Sequence, residues 1–120
     1  MPWLAEEFGG ARLWAAGQDL ASLARLVDVV MPMTYSFMTG SSAGHIAALC
    51  DELRTTTGKP VMPSLQADNT YREGELPMAA VEQMLDEVER SSDGGYSVFH
   101  LESLADRPEL RRLLASRAPA

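Results

Sequence analysis

Polar residues stand where three apolar, strand-like runs end: Tyr35 and Ser36, then Gln66 and Asp68, then His100 and Glu102. Their types suit recognition of a hydroxyl-bearing ligand. A tyrosine ring can floor a pocket while its hydroxyl makes a directional bond. A glutamine amide offers a donor and an acceptor together, a carboxylate accepts from hydroxyls, and a histidine can serve as ligand or base. Tyr35, Gln66, His100 and Glu102 are therefore the candidate substrate-binding residues. Each has an ordinary alternative. His100 can be a hydrogen-bonded core histidine, Glu102 a helix cap or an arginine partner, and Asp68 a solvated group heading a polar loop.

Other chemistry has less to stand on. His45 and His100 lie on separate elements without ligand spacing, so no metal site is expected. Cys50 is the single cysteine, which excludes an intrachain disulfide and a zinc-type cluster. Its apolar helical setting predicts a buried, inert thiol. The loop from Thr39 to Gly44 can cradle an anion at a helix start, yet it matches no P-loop. No nucleophile elbow supports a Ser-His-Asp triad. No cofactor is expected.

The elements that must position these residues follow from hydrophobic patterning. Residues 27–36 form an apolar run of strand length that turns polar at its end, and residues 60–66 and 96–102 repeat the plan. Runs rich in β-branched residues and methionine read as strands buried on both faces. In the second run, Val61, Pro63 and Leu65 alternate with Met62, Ser64 and Gln66. In the third, Phe99 and Leu101 are expected to face covering helices, while Tyr96, Val98, His100 and Glu102 face a pocket.

Helical patterns separate the runs. Asp19 is a plausible N-cap for Leu20, Leu23, Ala24 and Leu26. Ser41 and Ser42 precede Ile46, Leu49, Cys50 and Leu53 at helical spacing, and Gly58 supplies a stop. Pro77 suits a first turn ahead of Val81, Met84, Leu85 and Val88, whose outer face of Glu82, Asp86, Glu87 and Glu89 reads as solvated. Pro108 opens a last helix with Leu110, Leu113 and Leu114 inward and Arg111, Arg112 and Arg117 toward its C-terminal half, complementing the dipole. Strands alternating with helices predict an α/β fold with three to four parallel strands, whose binding residues gather at the strands' C-terminal ends.

At 120 residues the chain has the size of one domain, and 46% hydrophobic content argues against disorder. The domain divides into successive strand–helix units at 18–58, 59–93 and 94–117. Residues 1–17 read as the remnant of a preceding unit, since Pro2, Trp3 and Leu4 resemble a strand end and Phe8, Gly9, Gly10 and Trp14 resemble loop material. A net charge of −7 weighs against nucleic acid, which needs a basic face. No apolar run approaches the roughly 20 residues that cross a bilayer, and no signal peptide is visible. A soluble chain is expected, its compartment open.

These residues also carry a resemblance. Gly17 to Leu20 followed by Asp28 to Tyr35 resembles the sixth strand of (β/α)8 barrels in glycoside hydrolase-like proteins. Met33, Thr34 and Tyr35 are similar to the Met-x-Tyr of chitinase-like glycoside hydrolase family 18, with Ser36 where that family has Asp. Pro60 to Gln66 is similar to the seventh strand of uncharacterised glycoside hydrolase-like proteins that end it with Gln, and Gly95 to Glu102 to the eighth. The resemblance spans roughly residues 14–115. It implies a partial TIM barrel, the C-terminal part of a larger one, because a full barrel takes about 250 residues. It implies a carbohydrate-binding cleft lined by Tyr35, Gln66, His100 and Glu102.

Glycosidic cleavage needs two carboxyls at a set separation. In such barrels at least one comes from strand four, outside this sequence, and Gln66 ends the strand that supplies a nucleophilic Glu in some relatives. The catalytic residues are thus unknown, with Glu102 and Asp68 as candidates, and the isolated chain is expected to lack hydrolytic activity. The expected partners are a carbohydrate and either a complementing N-terminal barrel portion or a second copy, since the first strand leaves an open edge. Two readings from other classes remain beside this one: a non-catalytic module that pairs through that edge, and a small phosphate-binding domain using residues 39–44.

Overall fold

The computed structural model describes residues 11–14, 16–68 and 73–118. The expected strand end at Pro2 to Leu4, the loop at Phe8 to Gly10, part of the polar loop after Asp68 and the tail at 119–120 lie outside them. Seven helices and two strands are described: α1 (Ala11–Trp14), α2 (Leu20–Leu23), α3 (Ser36–Thr39), α4 (Gly44–Thr57), β1 (Ser64–Gln66), α5 (Met78–Ser91), β2 (Ser97–Phe99), α6 (Leu101–Ala105) and α7 (Pro108–Arg117).

The sheet is parallel, as an α/β chain requires. β1 pairs with β2 in the register Ser64–Ser97, Leu65–Val98 and Gln66–Phe99. On its other side the central segment meets residues 30–34 through the isolated parallel bridges Val30–Val61 and Met33–Ser64. Val30 N–H donates to the Pro60 carbonyl and Thr34 N–H to that of Ser64, both at 2.9 Å. The expected first strand is therefore extended and paired, but broken. Proline has no N–H to donate, so Pro32 removes one rung on this side of the central segment and Pro63 one rung on the other.

Helix α4 buries Ile46, Leu49, Cys50 and Leu53, and α5 buries Val81, Met84, Leu85 and Val88. These stripes pack on Val61, Leu65 and Ala67, with Leu110 of α7 completing the cluster. Gly58 ends α4 at φ 66°, a left-handed conformation that glycine adopts at least cost. The predicted Ser41–Ser42 cap is not made; Ala43 precedes the first helical residue and gives no side-chain bond.

The structure corrects the expected faces of the third strand. Tyr96 and Val98 pack against the core, while Phe99 is 41% exposed on the opposite face. Alternation groups residues by face without saying which face is inward; pairing of Val98 with the buried Leu65 decides it. A second correction concerns its length, since α6 begins at Leu101 and takes Leu101 and Glu102 out of the strand. The face away from the core carries Met31, Met33, Met62, Ser64 and Ser97, all half-buried, and the exposed Phe99.

Arginines tie the layers together. Arg54 of α4 donates to Asp93 (2.9 Å) and to the Ser91 carbonyl (2.7 Å), and the same Asp93 carboxylate accepts the Val61 N–H at 2.9 Å. Arg117 of α7 bridges Asp86 (2.7 Å) and Glu89 (3.0 Å), so part of the acidic α5 face serves as a docking edge for α7.

Candidate functional site

The C-terminal ends of the three extended segments lie together, and aromatic contacts define the tip. The rings of Tyr35 and Phe99 stack with centroids 5.9 Å apart, and Phe99 meets the His100 ring at 4.6 Å, edge on. Tyr35 is buried, as is Ser36, whose hydroxyl oxygen is enclosed without a hydrogen-bond partner among the described residues. The solvent-facing part of this row is Phe99 and His100.

Gln66 is 2% exposed and already engaged. Its Oε1 accepts the Met38 N–H at 2.9 Å and its Nε2 donates to the Asp68 carbonyl at 2.7 Å. The residue fixes α3 and the loop after β1 against each other. It supports the tip from behind.

His100 lies just before α6 and caps it. Its Nδ1 accepts the Ser103 N–H at 3.3 Å, approaches Ser103 Oγ at 3.1 Å and lies 3.3 Å from Glu102 Oε2. The Ser103 hydroxyl in turn donates to the Asp68 carboxylate. Glu102 thus lies against the ring nitrogen directly, and Asp68 meets His100 through Ser103, a residue that sequence reasoning passed over. Its signal was the spacing of a capping residue and the third helical position, with histidine as the acceptor in place of the usual Ser, Thr, Asp or Asn. Glu102 is 87% exposed, on the first turn of α6. Arg107 reaches back to the carbonyls of Ala67 (2.9 Å) and Leu76 (3.0 Å), clamping the segments behind this cluster.

No protein-family model, curated protein or solved structure matches this chain.

Two other regions complete the surface. The Thr39–Gly44 loop borders a cavity of about 180 Å³ shared with Gln83 and Met84, and no lysine or arginine lines it. A second cavity of about 310 Å³ at Ser42, Ala43 and Gly44 does carry Arg90, but beside Asp86 and Glu87, so an anion there would face more negative than positive side chains. Beside residues 29–31, an apolar groove of about 310 Å³ is walled by Leu20, Leu23, Val27, Val29 and Met31. The outward backbone groups of Val29, Met31 and Met33 have no partner among the described residues. Among those residues, no helix is long and apolar enough to cross a membrane.

Proposed function

We propose that this chain is part of a (β/α) barrel of the glycoside hydrolase-like kind and that its strand tips contribute to a carbohydrate-binding cleft. The observation that carries this reading is Phe99, a ring 41% exposed at the tip of β2, backed by Tyr35 and flanked by His100 and Glu102. A sugar ring presents C–H groups on one face and hydroxyls at its rim. An aromatic platform edged by a carboxylate and an imidazole suits both, since sites of this kind combine an apolar floor with a few placed polar groups. Titration of the 15N-labelled protein with soluble β-linked oligosaccharides is expected to shift amides of residues 35–38 and 98–103, and Phe99→Ala to abolish those shifts. Shifts confined to other residues, or unchanged in Phe99→Ala, would remove the reading. The isolated chain is expected to show no turnover; hydrolysis abolished by Glu102→Gln would overturn that part.

A second reading rests on the edge at residues 29–33, open among the described residues, and on its apolar groove. Unpaired strand edges are templates for association, and a second copy brings the same edge and the same groove. Light scattering after size exclusion is expected to find a dimer that Met31→Lys converts to monomer. A wild-type monomer at high concentration would dismiss this reading.

A further inference from the structure

We infer that His100 is a proton-operated latch at the strand tip, exchanging the N-cap of α6 for a carboxylate contact when it becomes charged. One ring nitrogen faces two partners. His100 Nδ1 lies 3.3 Å from the Ser103 N–H and 3.3 Å from Glu102 Oε2. The amide requires a lone pair on Nδ1, whereas the carboxylate requires a proton there. A ring nitrogen offers one or the other, so the two partners are mutually exclusive.

In the neutral ring the Ser103 amide holds Nδ1 as an acceptor, which places the proton on Nε2. Glu102 then has no hydrogen bond to gain from Nδ1, and its carboxylate stays in solvent. In the charged ring Nδ1–H turns to Glu102 Oε2 or to Ser103 Oγ, which lies at 3.1 Å. The Ser103 hydroxyl proton is already given to Asp68, so its oxygen is free to accept. The Ser103 amide is then released and the first turn of the five-residue α6 loses its cap.

Among the described residues, the charged and titratable groups nearest the ring are these. Glu102 faces it from α6, and Asp68 reaches it through Ser103 from the loop after β1. The Phe99 ring packs on it from β2, with Tyr35 behind. Arg107 is turned away onto the carbonyls of Ala67 and Leu76 and onto Glu109. The consequence is that acid draws Glu102 onto His100, while neutrality frees it. The latch needs no ligand, and it stands whether or not the tip binds a sugar.

Nitrogen-15 spectra of the histidine rings test this directly, with His45→Gln assigning the two histidines. In its neutral form the His100 ring is expected to carry its proton on Nε2. As its ring takes up a second proton on acidification, the Ser103 amide shift is expected to move in step. Its exchange, corrected for intrinsic rate, is expected to quicken about 2- to 30-fold, the usual worth of an N-cap expressed as a population ratio. His100→Asn keeps a capping acceptor that does not titrate, and there the Ser103 amide is expected to be flat with pH. A neutral ring protonated on Nδ1 overturns the latch, as does a Ser103 amide that ignores the ring or still titrates in His100→Asn. Should His100→Asn not fold, the wild-type tautomer decides alone.

Discussion

Replacing Gln66 with Met tests whether the strand tip is held together from behind by this one amide. Methionine matches glutamine in length and lacks branching, so packing is disturbed little. Both hydrogen bonds disappear, leaving the Met38 N–H and the Asp68 carbonyl without their partner. Orphaning a buried backbone group costs ~1–3 kcal/mol. Both contacts are only part-buried, which favours the lower half of that range, so the expected loss is about 2–4 kcal/mol. A domain of this length has a total stability of roughly 6–18 kcal/mol at the usual per-residue figure, so the loss is large enough to measure. In urea the midpoint is expected to fall with the slope unchanged. A loss below about 0.5 kcal/mol would refute the reasoning and return Gln66 to the set of residues free to contact a ligand.

The companion Gln66→Glu separates the two ends of the amide. A carboxylate keeps the acceptor for Met38 but sets a negative oxygen against the Asp68 carbonyl. Burial and that carbonyl both disfavour the charged form, so the folded-state pKa of the new carboxyl is raised above its unfolded value of about 4.3. Its protonated form can donate to Asp68, giving stability that is present below the unfolded value and lost as pH rises through the folded one. The variant is expected to approach wild type near pH 4 and to fall well below it at pH 7. Equal deficits at both values would show that the Nε2 contact contributes nothing.

Leu85 is fully buried between α5 and the sheet, and Leu85→Ala is expected to cost about 2–5 kcal/mol in the same urea measurement. The Val61 N–H and then Arg54 hold the Asp93 carboxyl below the ordinary aspartate range. Its contribution is full above about pH 4 and fades as acid carries the pH through the folded value. Asp93→Asn is expected to flatten that acid limb, by under about 1 kcal/mol because the carboxylate is 34% exposed. Burial pushes the Cys50 thiol up to about 11, so disulfide-exchange reagents are expected to label it only in denaturant; rapid labelling of the native protein would contradict the packing of α4.

The helices were legible because their signals are local. Ile46, Leu49, Cys50 and Leu53 fall on one side of a 3.6-residue period, and each is buried on α4. Pro108 sits at the start of α7 and Asp19 accepts from Ser22 at the start of α2, as their types suggest. The sheet was legible in its order and direction but not in its detail. Across residues 96–102, period-two alternation held only as far as Phe99, and even there the inward face was chosen by the partner strand. Nothing within those seven residues shows that Leu101 begins a helix, because the His100–Ser103 cap depends on a ring orientation. Gln66 was singled out correctly as a buried amide in need of partners; those partners are backbone groups at 38 and 68, which no local pattern joins.

Much of the polar surface at the strand ends is engaged by the backbone around it. Side chains bond backbone groups along the short ladder and just beyond it. Thr34 Oγ1 donates to the Ser64 carbonyl at 3.0 Å, Asp93 accepts from Val61, Gln66 joins residues 38 and 68, and Arg107 holds the Ala67 carbonyl. Backbone groups denied a partner in low-dielectric surroundings are costly, so these side chains are bound to the fold before any ligand arrives. With Tyr35 and Ser36 buried and Asp68 joined to Ser103, the strand-end residues facing outward among those described are Phe99, His100 and Glu102. Two of those three are the pair whose contact changes with one proton. In the proposed cleft these are the groups a ligand would meet, and the charge state of His100 would be the variable through which the surroundings reach them.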